Sequence, residues 1–132
     1  MRLTQMTPYN SELFDPPAPL AAVEVRGSDR ESALITISML IDSGADVTLV
    51  PKSCVDNLGI TVVADQTYEL MGFDGSRSFA PVVWVEMIFL KRIFRGRFLI
   101  IDQEWGILGR DVLNHLPIVL DGPKLSWGEA PR

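Results

Sequence analysis

The sequence is poor in the residue types on which several common chemistries depend. Cys54 is the only cysteine in 132 residues, so no disulfide closes within the chain and no Cys-x-x-Cys metal pair exists. His115 is the only histidine. It has no second ligand at a usable spacing, which leaves no metal site legible and gives it a structural role on a short helix. No apolar run approaches the ~20 residues that span a bilayer. Met1 to Leu13 is polar, without the apolar stretch of a secretory leader. Positive charge is scarce as well: 12 Lys+Arg against 17 Asp+Glu leave a formal net charge of −5, whereas a nucleic-acid partner needs a basic face. The single basic cluster, Lys91, Arg92, Arg95 and Arg97, lies between apolar runs and reads as a solvated hairpin tip. Neither an internal repeat nor a low-complexity segment occurs. These absences set the expectation of a cytoplasmic protein without metal or cofactor and without a nucleic-acid or membrane partner.

What is present describes a globular chain. Apolar residues make up 47% and charged residues 22%, and the length suits one domain with a single core. Residues 1–19 carry Pro8, Pro16, Pro17 and Pro19 with no periodicity, and read as an extended arm: either a strand exchanged with a partner or a loose terminus. The domain proper spans 20–127, and 128–132 reads as a tail. Within the domain the period is two. Ala21 to Arg26 alternates, and Ile35, Ile37, Met39 and Ile41 form one face of a half-buried strand. Val47 to Val50 reads as a short buried strand. Pro51 to Gly59 reads as a two-turn helix, with proline at its start and glycine past its end. Ile60 to Val63 returns to strand.

Thr67–Met71 and Arg77–Val85 flank Gly72-Phe73-Asp74-Gly75-Ser76 as a hairpin, and Val82–Leu90 with Ile93–Ile101 make a longer one. Ile107 to Gly109 predicts a short strand, followed by a helix of one or two turns before Pro117. Ile118–Leu120 and Leu125–Trp127 then close around Asp121-Gly122-Pro123. The fold class expected is mostly β: a closed, barrel-like domain with one or two short helices. Trp84, Trp105 and Trp127 read as core or interface residues.

The chemistry concentrates at Met39 to Pro51. An apolar run delivers one carboxylate, Asp42, onto the small-residue turn Ser43-Gly44, and a second apolar run follows at once. A carboxylate placed between two buried strands is held rigidly at the floor of a site. Alone, Asp-Ser-Gly is ordinary turn vocabulary. A second motif, Ile107-Leu108-Gly109-Arg110-Asp111, stands near the C-terminus.

Together, Ile41-Asp42-Ser43-Gly44-Ala45-Asp46, the hairpin after it and Ile107-Leu108-Gly109-Arg110-Asp111 resemble the retropepsins, the retroviral-type aspartic proteases and their cellular relatives, over roughly Leu20 to Trp127. The resemblance implies half of a two-fold symmetric aspartic protease. Aspartic protease chemistry uses two carboxylates that share one proton, and this chain offers a single Asp-Ser-Gly. Activity therefore requires a homodimer in which Asp42 meets its mate. By the same resemblance Asp42 is the catalytic acid/base, the Ser43 hydroxyl braces the dimer axis and Gly44 turns its carbonyl to the substrate. Ala45 and Asp46 contact an extended peptide, and Arg110 ion-pairs with Asp46 from behind. Met71, Gly72 and Phe73 belong to a flap, Met71 to Gly75, that closes over the peptide. Trp105 and Ile107 line side-chain pockets, so apolar residues are expected beside the cleaved bond. Trp105 is bulkier than the aliphatic residue usual in the family, which narrows its pocket. A mildly acidic optimum is expected, because one Asp42 stays protonated. The alternative is a non-catalytic retropepsin-like module for dimerisation or peptide binding. The intact Asp42-Ser43-Gly44 favours the enzyme, since a binding module has no need of that carboxylate.

Overall fold

The computed structural model describes residues 5–28, 33–60, 62–71 and 74–131. In chain order the strands are β1 (Thr7–Pro8), β2 (Leu20–Gly27), β3 (Ile35–Ile41), β4 (Leu49–Pro51), β5 (Val62–Met71), β6 (Arg77–Phe89), β7 (Arg92–Ile101), β8 (Gly106–Leu108), β9 (Ile118–Asp121) and β10 (Ser126–Glu129). Helices α1 (Lys52–Leu58) and α2 (Arg110–Leu113) interrupt them. The period-two pattern does what it predicts. In β2, Ala21, Val23 and Val25 are buried while Ala22 and Glu24 face solvent. Met39 and Ile41 of β3, Val83, Val85 and Met87 of β6, and Phe98 and Ile100 of β7 meet them in one core, joined by Leu108 and Trp127.

The strand order β2-β3-β8-β4-β7-β6 closes on itself where β6 returns to β2, with Glu24 opposite Ile88 and Gly27 opposite Val85. Six strands thus make a closed barrel, which removes the sheet edges. β5 hangs from the outer side of β6 as the near arm of the first hairpin. The strands expected at Ile60–Val63 and Thr67–Met71 are one strand, β5, with a register shift between Val62 and Thr67. α1 packs Cys54 and Val55 into the core and ends at Gly59, whose φ of +64° is the left-handed helix stop. Among the described residues no helix is long and apolar enough to cross a membrane.

Two expectations are corrected here. The arm is not a loose terminus: β1 pairs antiparallel with β10 of the same chain, Thr7 opposite Trp127, and the Tyr9 N–H donates to the Leu125 carbonyl at 2.7 Å. With β9 on the other side of β10, the terminal segments form a separate three-stranded sheet, and Gly128 and Glu129 belong to β10 and not to a tail. The basic cluster is not a solvated tip either. Leu90 and Lys91 alone make the turn, both at positive φ, while Arg92, Arg95 and Arg97 lie along β7. Arg95 and Arg26 both ion-pair with Glu86, whose side chain is completely buried, and Arg97 stands 5.7 Å over the Trp84 ring.

Candidate active site

The site is built on the parallel pair β3 and β8, with Leu40 opposite Ile107 and Ile41 opposite Leu108. Met39, Ile41 and Leu108 turn into the core. By alternation Leu40 and Ile107 share the opposite face, with Asp42 directly after β3 and Trp105 directly before β8. Asp42 follows the last residue of β3, and its N–H still donates to the Leu108 carbonyl at 3.1 Å.

The turn after it is held at every step. Ala45 N–H donates to the Asp42 carbonyl at 3.1 Å, and Gly44 N–H donates to Asp42 Oδ1 at 2.9 Å. The carboxylate is thereby oriented by its own loop, and hydrogen bonds to a charged acceptor are the stronger kind. Ser43 and Gly44 are exposed beside a half-buried Asp42. From the C-terminal motif, Arg110 N–H donates to the Ala45 carbonyl at 2.8 Å, and its guanidinium Nη1 donates to the Ser43 carbonyl at 2.8 Å. The expected Arg110–Asp46 ion pair does not form among the described residues. Arg110 opens α2 directly beneath the turn, where the Ser43 carbonyl is the acceptor within reach, and the exposed Asp46 keeps to solvent.

Two residues outside the expected set complete the fastening. Thr48, fully buried, donates its hydroxyl to Asp111 Oδ1 at 2.6 Å, accepts the Gly109 N–H at 3.0 Å, and gives its own N–H to Asp111 Oδ2 at 3.1 Å. The two motifs are stapled through buried polar groups, and such groups require partners. Gly109 is there because the chains touch: a Cβ on it would lie 2.3 Å from the Val47 carbonyl oxygen. The signal in the sequence was a lone threonine inside the apolar run Val47 to Val50.

Above this floor, Ile107 packs into a second apolar cluster with Leu49, Ala80, Val82, Leu99, Val47 and Leu70. It ties the base of the β5–β6 hairpin to the Asp42 loop. A cleft of about 480 Å³ opens beside it, with Val47, Thr48, Tyr68, Val82, Leu99 and Asp111 among its walls. Met71, at the end of β5, is well exposed. Gly72 and Phe73 lie outside the described residues. Past them, hydrogen bonds from the Ser76 hydroxyl and N–H hold the Asp74 carboxyl below its usual range, and Glu69 ion-pairs with Arg77 across the hairpin at 3.2 Å. Trp105 is half-buried against Phe14 of the arm, ring centroids 4.9 Å apart. The His115 carbonyl accepts from Arg92 Nη1 at 3.1 Å, and its ring lies 6.2 Å from that of Phe94. Among the described residues no three His, Cys, Asp or Glu side chains are grouped to hold a metal ion.

A family model described as aspartyl protease matches residues 21–112, from the start of β2 through α2. No curated protein matches the sequence. Among solved structures, the EIAV protease complexed with the inhibitor HBY-793 aligns with a TM-score of 0.57 at 22% identity, covering 83% of this chain and 93% of that one. A retropepsin-like aspartic protease from Rickettsia conorii aligns with a TM-score of 0.64 at 12% identity, covering 92% and 90%. At these identities the likeness is one of fold.

Proposed function

The chain belongs to the aspartyl protease family, and from that premise we propose that it works as a homodimeric aspartic endopeptidase in which two Asp42 carboxylates, one per protomer, activate the water that hydrolyses a peptide bond. The observation that carries the reading is the Asp42 loop. It is fixed by backbone and side-chain hydrogen bonds on its inner side, while Ser43 and Gly44 stand exposed on the outer side. A rigid carboxylate on an uncovered turn is half of a dyad. When two such groups meet they share one proton, because both cannot ionise at close range. The ionised one takes a proton from the water as it attacks the scissile carbonyl; the protonated one donates to the carbonyl oxygen, and a proton then passes to the leaving amine. Ser43 braces the axis, and Gly44, Ala45 and Asp46 receive an extended peptide. The β5–β6 hairpin covers it, with Met71, Gly72 and Phe73 near its tip. Ile107 and Trp105 wall the side-chain pockets.

The second copy has a surface to use. Among the described residues β9 is paired on one side only and exposes Val119 and Leu120, whereas the far edge of the same sheet is β1, two residues long and carrying Pro8, which has no N–H to offer. Antiparallel pairing of β9 with its mate places a two-fold axis at the sheet, and α2 connects that sheet directly to the Asp42 loop.

Wild type and Asp42→Asn are compared on a diverse peptide mixture at mildly acidic pH, with sedimentation on the same samples. Expected is a dimer that cuts only as wild type, with rates rising as the square of protomer concentration below the dimer dissociation constant. A dimer that cuts nothing makes the protein a binding module. Equal cutting by Asp42→Asn removes Asp42 from the chemistry.

A further inference from the structure

The arm sets one aromatic side chain, Phe14, against Trp105. The loop between Asn10 and Ala18 is closed by a reciprocal pair of backbone hydrogen bonds, 2.7 and 3.1 Å, and Asn10 Oδ1 accepts the Glu12 and Leu13 N–H groups at 3.0 and 2.8 Å. At its far end the Pro19 carbonyl accepts the Ile41 N–H at 2.9 Å, one residue before Asp42. A loop clamped at both ends presents its side chains in fixed positions, and Phe14 is the one that meets Trp105. Its ring meets Trp105 edge to face, centroids 4.9 Å apart and planes at 65°, the geometry that aromatic quadrupoles favour.

Trp105 itself is held by its own segment at the backbone, where Gln103 Nε2 donates to the Trp105 carbonyl at 3.0 Å. It ends the bend after β7, whose residues Asp102, Gln103 and Glu104 are exposed, and behind it lies a recess of about 330 Å³ walled by Leu13, Ile37, Ser38, Cys54 and Glu104. That recess is on the order of ten water molecules in volume, so the indole has somewhere else to go. We propose that Phe14 is a positioning residue for substrate selection: by holding the Trp105 indole against the arm and out of the recess, it sets the shape of the apolar side-chain pocket that Trp105 walls. This rests on the protease reading above. It makes the N-terminal arm of each protomer part of that protomer's specificity apparatus, and it predicts that arm substitutions change which peptides are chosen without changing the hydrolytic step.

The test uses the best-cut peptide from the mixture and its analogue with the apolar residue beside the cut bond shortened to alanine. Kinetics are measured on wild type, Phe14→Ala, Phe14→Tyr, Trp105→Ala and the Phe14→Ala/Trp105→Ala double variant, each checked for folding by its melting transition. Phe14→Ala is expected to raise KM for the parent peptide roughly two- to ten-fold, the scale of one aromatic pair, with kcat held and with less discrimination against the analogue. Phe14→Tyr keeps the ring and restores the wild-type preference, and Phe14→Ala adds nothing once Trp105 is alanine. An unchanged preference in Phe14→Ala, an equal fall in kcat on both peptides, or the same Phe14 effect without Trp105 overturns the assignment. A wild type that cuts nothing, or an Asp42→Asn that cuts, refutes the protease reading instead and is seen before any Phe14 variant is made.

Discussion

Thr48→Val isolates the fastening between the two motifs. The substitution keeps the shape and removes the hydroxyl, which donates to Asp111 Oδ1 and accepts from Gly109 N–H while fully buried. The Gly109 N–H is then stranded, at about 1–3 kcal/mol for a buried donor without a partner, and the Asp111 carboxylate loses a charge-assisted bond of about 1.5–3 kcal/mol. Together the loss is about 3–5 kcal/mol, against roughly 7–20 kcal/mol of total stability for a domain of this length. At about 3–4 °C per kcal/mol for this size, the melting temperature falls by roughly 10–20 °C. Thr48→Ser is the control: it retains both hydrogen bonds, loses one methyl and costs about 1 kcal/mol. Urea titration with tryptophan fluorescence reads both variants. If Thr48→Val lies within 0.5 kcal/mol of wild type, or if Thr48→Ser is as damaged as Thr48→Val, the buried staple is not what holds the loop.

Gly109→Ala places a methyl 2.3 Å from the Val47 carbonyl oxygen and is expected to cost about 3 kcal/mol or more by denaturant titration, while Gly96→Ala, with open space around it, stays within about 0.5 kcal/mol. Glu86 keeps one arginine in either Arg26→Met or Arg95→Met but neither in the double variant, so the double is expected to cost more than the two singles added, by about 1–3 kcal/mol; strict additivity would mean that the two arginines do not share the carboxylate. Burial pushes the Cys54 thiol up to about 11 from 9.0, so in folded protein at pH 8 it should resist a thiol reagent that labels it fully in urea. The sign of the linkage follows. Between pH 9.0 and about 11 the folded state keeps a proton that the unfolded state releases, stability falls with rising pH across that window, and a Cys54→Ala variant loses that part of the slope.

Much of this was legible because local chemistry and final geometry agree. The Asp42 turn needs small residues and rigid flanking strands, and Ser43, Gly44 and the apolar runs announce both. α1 is bracketed by Pro51 and Gly59 for reasons that act within a few residues. What escaped depends on partners far away in sequence. Nothing near Thr7 indicates that it pairs with Trp127, so a proline-rich arm read as either an exchanged strand or a loose terminus, although it pairs within its own chain. Arg95 sits among apolar residues near a turn, and only the register that sets Glu86 between it and Arg26 turns a tip charge into a barrel seam. Thr48 and Asp111 were visible as polar residues in or beside buried runs, but which buried oxygen meets which donor is fixed by the crossing of two loops. The Arg110 expectation failed at the same level. The side chain lies beneath the right turn, yet its acceptor is the Ser43 carbonyl and not the Asp46 carboxylate.

The ordered arm also changes what a second copy has to supply. Because β1 covers β10 from within its own chain, β10 does not wait for a partner's strand, and among the described residues the longer edge of the terminal sheet is β9. The β9 edge and the Asp42 turn are joined through backbone hydrogen bonds. Leu108 holds the Asp42 N–H, Gly109 accepts from Val112 and Leu113 within α2, and the Pro117 carbonyl before β9 accepts from Ala130 at 2.7 Å. The hydrogen-bonded path that starts before β9 thus reaches the Asp42 backbone, while Phe14 meets Trp105 from the opposite end of the chain. On the proposed reading the barrel would supply a stiff platform for one carboxylate, and the terminal segments would supply assembly and selectivity. Substitutions in β9, β10 or the arm can then alter dimerisation or peptide choice with the barrel core intact, whereas substitutions at Thr48, Gly109 or Asp111 strike the platform and cannot be confined to either.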